Sequence, residues 1–253
     1  MDNVCKILIV ALLHFFIEGG ILAQGHFKAT VLAGINYSQI DGDQQEGYRK
    51  PGVSLGLCSS IYIRPDIEIG TELLYNAKGA VPNSGIPVNG LGFDDKYFSR
   101  FSLNYSEISL FGSYHFKPNF AKKYYARSLQ FGLSYGRLLK SSTSIIKYNT
   151  PVTSLETTIE NQYNPNDFSY IIGFSQLITP RIGISIRHTR SINYLYKNPA
   201  FRSANGQVTS GFKHLQPFFL SFHLFYNFIS PNKVMGLHIK KNRPNRNPLE
   251  ELY

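Results

Sequence analysis

From Phe27 onward, bulky apolar residues alternate with small or polar ones at a period of two, the mark of strands whose two faces meet different surroundings. Eight such runs can be traced. The first places Ala29, Val31, Ala33, Ile35 and Tyr37 on one face, the second Val53, Leu55, Leu57, Ile61 and Ile63, and the third Ile67, Ile69, Leu73 and Tyr75. The fourth carries Ile108, Leu110, Tyr114 and Phe116; the fifth Leu129, Phe131, Leu133 and Tyr135; the sixth Tyr170, Ile172, Phe174 and Ile178. Ile182, Ile184 and Ile186 mark the seventh, and Phe218, Leu220, Phe222, Leu224, Tyr226 and Phe228 the eighth.

The connections between these runs alternate in length. Tight turns at Arg64-Pro65-Asp66 and Thr179-Pro180-Arg181, and a somewhat longer link from Lys117 to Ala126, alternate with long polar links. These are Ser38 to Lys50, Gly79 to Ser102, Ser141 to Asp167 and Lys197 to Leu215. Short turns at one end and long loops at the other are the pattern of an outer-membrane barrel, with both termini on the short-turn, periplasmic side.

The residues opposite the bulky ones set the direction of the faces. Ser54, Gly56, Cys58 and Ser60 in the second run, Gly132, Ser134 and Gly136 in the fifth, and Gly183 and Ser185 in the seventh are small enough for a narrow lumen. A soluble lipocalin-like barrel would reverse the arrangement, with charges outside and an apolar calyx within. The expected fold is therefore all-β, an eight-stranded antiparallel up-and-down transmembrane β-barrel. Ser144 to Tyr148 and Leu155 to Tyr163 leave a ten-stranded count open.

Composition agrees with this pattern. The chain holds 17 Tyr, 19 Phe and 21 Gly but only 17% charged residues, material for strands and turns rather than helices. With no Trp, interfacial belts must come from Tyr and Phe. Tyr37, Tyr75, Phe101 and Tyr135 are candidates for the outer belt, and Phe116, Tyr124 and Phe228 for the inner one.

The first residues read as a secretory signal. Lys6 precedes an apolar run from Ile7 to Ile17, too short to cross a bilayer, and Leu22-Ala23-Gln24 offers a cleavage site after Ala23. The expected organisation is a signal peptide over 1–23, a barrel over 24–229 and a basic tail over 230–253. Cleavage removes Cys5 and leaves Cys58 alone, which excludes an internal disulfide and any cysteine-based redox or zinc site.

A net charge of +10 raises the question of nucleic acid, but the Lys and Arg residues are scattered and no recognition motif accompanies them. Export argues against it too. Part of the excess lies in the tail, at Lys233, Lys240, Lys241, Arg243 and Arg246, among Asn and Pro residues that resist helix and strand. The expected partners are outer-membrane lipid and an envelope protein met by the long outer loops or by this tail.

Parity turns Glu68, Glu72, Glu107, His115, Arg187 and His223 into the lumen. Glu72 and Glu107 are expected to oppose Arg187 in an internal ion-pair network that fills a closed barrel, since buried charges need partners. A proton or ion path is the functional alternative. For hydrolysis, His188 and Ser191 are the pair to consider, yet their spacing puts them on opposite faces of a strand. No catalytic residue is assigned. Asp41, Asp43 and Glu46 could gather calcium but lack the full loop pattern, and a solvated acidic turn is the expectation. No metal or cofactor is expected.

Several segments, in order, resemble the PorT-like porin family of Bacteroidetes outer-membrane β-barrel proteins. Gly34-Ile-Asn-Tyr-Ser-Gln-Ile-Asp-Gly-Asp43, Gly47-Tyr48, Glu72-Leu-Leu-Tyr-Asn-Ala-Lys-Gly79 and Leu103-Asn-Tyr-Ser-Glu-Ile108 are similar to its first four strands. Asp167-Phe168, Gly173 and Arg187 fit its later ones. Ser109 stands where the family usually has proline, and His188 where it has tyrosine. The resemblance implies a barrel in the outer membrane, and the namesake is associated with protein secretion.

Overall fold

The computed structural model describes residues 27–43, 47–64, 66–81, 88–89, 96–119, 124–147, 150–151, 160–197 and 213–229. The expected signal peptide and basic tail lie outside these residues. Eight long strands organise the rest: β1 (Phe27–Asp41), β2 (Lys50–Arg64), β3 (Ile67–Ala80), β4 (Lys96–Asn119), β5 (Tyr124–Lys147), β6 (Asn166–Leu177), β7 (Ile182–Ser191) and β8 (His214–Asn227). Each pairs antiparallel with its neighbours in sequence. β1 closes on β8 from Thr30↔Asn227 to Asp41↔Gln216. The result is a closed up-and-down barrel, which leaves no open edge around its wall.

The ten-stranded alternative is set aside by the pairing. Residues 144–147 continue β5 against β4 instead of starting a new strand. Two-residue segments at Val88–Asn89, Thr150–Pro151 and Tyr196–Lys197 only pair beside the outer ends of β4, β5 and β8. The link between β4 and β5 is also tighter than the sequence suggests, because the strands run on to Pro118↔Tyr125 and Asn119↔Tyr124.

Outward faces are apolar around the barrel. Leu57 and Leu133 are about 60% exposed, 60% and 62%, and Leu55, Leu73, Leu110, Phe131 and Leu224 are similarly open. A continuous band of this kind would be an aggregation surface in water and is what a bilayer covers. On β5 the band runs from Leu129 to Tyr135, with Arg127 and Arg137 as the flanking outward charges. That separation is close to the roughly 9–11 residues a tilted strand needs to cross a bilayer. Phe131 lies near its middle. Phe131→Arg should cost about 2–4 kcal/mol against Phe131→Leu, read from urea unfolding of the protein folded into liposomes. Equal stability of the two variants would mean that this face does not meet lipid.

Aromatic side chains stand at both borders of the band. At the long-loop end Tyr48 meets Phe218 edge-on at 5.2 Å between ring centres, and Tyr135 meets Phe168 at 5.2 Å. At the short-turn end Phe116 stacks on Tyr114 and Tyr226 meets Phe228. His188, where the resembled family has tyrosine, is half-buried on the outer face and its ring contacts Tyr48, Tyr170 and Phe218. Phe101 is a correction: it points inward and is fully buried, so it belongs to no belt.

Phe101 marks a change in what the faces mean. Along β4 the inward residues are Phe101, Leu103, Tyr105 and Glu107, and all are buried. Their outward neighbours up to Ser106 are polar, Ser102 and Asn104 among them, whereas Ile108 and Leu110 below are apolar and exposed. Along β4 itself the inward–outward alternation never slips, but the apolar face switches from inside to outside near Glu107. A strand leaving lipid for water must make this switch. Above it, Ile40, Ala80, Phe101, Leu103, Tyr105, Tyr163, Leu195, Tyr196 and Leu215 form one apolar cluster at the long-loop end.

Candidate functional site

The lumen below this apolar cluster carries many polar side chains, among them three ion-pair groups. At mid-height Arg187 of β7 reaches Glu72 of β3, directly across an eight-stranded barrel. Its Nη1 donates to Glu72 Oε2 at 2.5 Å, its Nη2 to Oε1 at 2.8 Å, and its Nε to Gln130 Oε1 at 3.0 Å. The fork-to-fork geometry is what lets two buried charges offset their lost hydration. Gly173 makes room for it, since a Cβ there would lie 2.9 Å from Arg187 Cγ.

Glu107 does not join this pair, contrary to the sequence expectation. Lys78 holds it instead. Lys78 Nζ donates to Glu107 Oε1 at 2.9 Å and to Asp167 Oδ2 at 2.5 Å, and its side chain is entirely buried. Asn76 Nδ2 donates to Glu107 Oε2 at 2.7 Å, and Asn36 Nδ2 donates to Asn76 Oδ1 at 3.1 Å. The ammonium also lies 4.0 Å from the ring centre of Tyr105, a favourable cation–π distance. One cation between two carboxylates therefore ties β3, β4 and β6 together just under the apolar cluster.

The third group lies toward the short-turn end. Glu68 accepts from Lys28 Nζ at 2.5 Å and lies 2.7 Å from His115 Nε2. These residues, with Tyr62, Tyr125 and Arg187, line a cavity of about 40 Å³ whose mixed polar and apolar walls have room for a few waters. Cys58 and Phe111 also line it, so the free thiol faces the lumen and not the lipid.

Other sequence candidates separate. His188 lies on the outer face while Ser191 is buried inside, 3.5 Å from Ser169 Oγ, so the two cannot share a proton. The first long loop is a solvated acidic turn only in part: Asp41 is exposed, whereas Asp43 is buried. Asp41 pairs with Arg190 at 2.9 Å, and buried Asp43 accepts from Gln39 Nε2 at 3.1 Å; Glu46 lies outside the described residues. Among the described residues no group of His, Cys, Asp and Glu has the makings of a metal site.

Lys28, Lys78 and Asp167 are the lumen charges that sequence reasoning passed over. Parity alone could have found Lys78, six residues beyond Glu72 on the same face. It was obscured by its place at the end of a run, next to the glycine that opens a long link.

The sequence model of a family described as "Outer membrane protein beta-barrel domain" matches residues 22–197. No curated protein matches the chain. Among solved structures, the chain is similar to Ail, the attachment invasion locus protein of Yersinia pestis, crystallised with the heparin analogue sucrose octasulfate. The identity is 9% and the TM-score 0.40, over 80% of this chain and 99% of that one. Neisserial surface protein A is 10% identical at a TM-score of 0.37, over 79% and 97% of the two chains. A de novo designed transmembrane β-barrel is 12% identical at a TM-score of 0.32, over 79% and 94%.

Proposed function

Because the chain belongs to the outer membrane protein beta-barrel domain family, we propose that it is a plugged barrel of the PorT-like type, working through its outer surface and not through a pore. The observation that carries this reading is the stack across the lumen. Arg187–Glu72 spans it at mid-height, Lys78 clamps Glu107 and Asp167 above, and the apolar cluster closes the long-loop end. A solute path would have to break each in turn. The PorT-like assignment rests on the ordered motifs from Gly34 to Arg187, and a part in an envelope transport or secretion assembly follows from it. Ser54 Oγ lies 2.8 Å from His223 Nε2 inside the lumen, but both side chains are buried there, away from anything met at the outer surface, which favours a binding or scaffolding role over catalysis.

In this arrangement the long loops face outward and both termini face the periplasm. Single cysteines introduced at Asn89 and Gln207 of a Cys58→Ser background should be labelled in whole cells by an impermeant reagent, while one at Asn119 stays protected. Liposomes bearing the purified protein should not swell in isotonic sugar. Labelling in the opposite sense, or swelling at the rate of an open porin, contradicts the proposal.

A further inference from the structure

Where β4 and β5 rise beyond their neighbours, their outward face changes from lipid-facing to cationic. β6 begins at Asn166↔Arg137 and β3 ends at Ala80↔Phe101, so the two long strands continue together past the upper border of the apolar band. Their outward side chains there include Arg100, Arg137 and Lys140, all exposed, with Ser102 and Asn104 between them. Lys50, at the top of β2, reaches across the end of β3 to donate to Ser102 Oγ at 2.7 Å. Among the described residues none of Arg100, Arg137 and Lys140 has an ion-pair partner. Arg137 only donates to Asn166 Oδ1, at 2.8 Å, beside the Tyr135 hydroxyl that donates to the same oxygen. Glu160, a described carboxylate at this end of β5, accepts from the Thr143 backbone N–H along the strand edge. Elsewhere the molecule does pair such cations, as Arg190 does with Asp41.

Unpaired guanidinium and ammonium groups with hydroxyl and amide donors between them form a surface complementary to phosphate. This one begins where the lipid-facing band ends, at Tyr135 and Arg137. A ligand that meets both must carry acyl chains below and phosphate above. We propose that the β4–β5 face binds the phosphorylated headgroup of an outer-leaflet glycolipid, with Arg137 and Lys140 at the headgroup level and Arg100 and Lys50 above them. The proposal rests on the outward orientation of the long-loop end, which whole-cell labelling tests separately.

The experiment is native mass spectrometry of the full-length protein from nanodiscs containing lipopolysaccharide, phosphatase-treated lipopolysaccharide, or phosphatidylglycerol. The variant R100Q/R137Q/K140Q is compared with wild type and with K197Q/K213Q, which removes exposed cations elsewhere. Heat-modifiable migration on gels confirms that each variant is folded. Wild type and K197Q/K213Q should retain lipopolysaccharide at least about tenfold more than the triple variant, with the advantage lost on phosphatase treatment. Inorganic phosphate at millimolar concentration should not displace it, because the acyl contacts remain. Equal retention by wild type and triple variant overturns the proposal. So does equal preference for phosphatidylglycerol, or displacement by free phosphate, which would indicate a simple anion site. If the triple variant does not fold, R137Q and K140Q are read singly, and unchanged retention in both counts against it.

Discussion

Lys78→Met should be among the most damaging single substitutions in the barrel, lowering its unfolding free energy by about 3–5 kcal/mol. The side chain is fully enclosed and is the cation shared by Glu107 and Asp167. Methionine fills similar space but leaves two carboxylates facing one another without a countercharge, in a place where hydration cannot replace it. The penalty therefore belongs to the stranded carboxylates more than to the lost contact. It follows that Lys78→Met combined with Glu107→Gln and Asp167→Asn should recover most of the loss, since a neutral network of the same shape costs little. Urea titration of protein folded in liposomes, followed by heat-modifiable migration, measures both variants. A loss below about 1 kcal/mol for Lys78→Met would mean that water reaches the site and the upper lumen is open.

Phe101→Ala should be comparably costly, by about 3–5 kcal/mol, but in a different place. Phe101 is fully buried in the apolar cluster with Ile40, Leu103 and Leu215, above the polar lumen. Removing the ring empties a small core that holds the outer part of β4 to β1, β8 and the segment containing Tyr163. The membrane-spanning part keeps its own pairing, so local opening should precede global unfolding. Hydrogen exchange should then lose protection at Leu103, Leu138 and Leu215 while Leu110 and Phe131 stay protected. Uniform loss along β4 would show that the barrel has one cooperative unit and no separate outer core.

The membrane-spanning strands were legible in the sequence because lipid and a narrow lumen impose opposite demands on alternate residues. Leu55, Leu57, Phe131, Leu133, Phe222 and Leu224 all face outward as their parity requires. The same rule placed Glu68, Glu72, Glu107, His115, Arg187 and His223 inside. It gave no means of choosing partners. Pairing across the lumen depends on axial height, and height depends on the stagger between strands, which alternation does not encode. Thus Arg187 and Glu72 meet, whereas Glu107, at the level of Lys78 and Asp167, goes to them.

The outer halves of β4 and β5 were missed for a different reason. There the apolar residues Phe101, Leu103 and Tyr105 occupy the inward face, while the outward one carries Ser102 and Asn104. A search for apolar residues on a fixed parity stops where that parity turns polar, and the remainder passes for a polar loop. At Leu138 to Lys140 the β5 register also shifts against Asn104 and Tyr105, which breaks the period a second time. Two successive apolar phases of opposite face are the signal that a strand continues out of the membrane into an apolar cap.

The central claim is that the lumen is closed by paired charges beneath an apolar seal, and single-channel recording in planar bilayers tests it most directly. The purified wild-type protein should insert, as shown by protease protection of the barrel, without resolvable current steps at either polarity. Lys78→Met combined with Phe101→Ala, if it inserts, should show brief openings where wild type shows none. Stable, large steps from the wild-type protein, insensitive to these substitutions, would contradict the account.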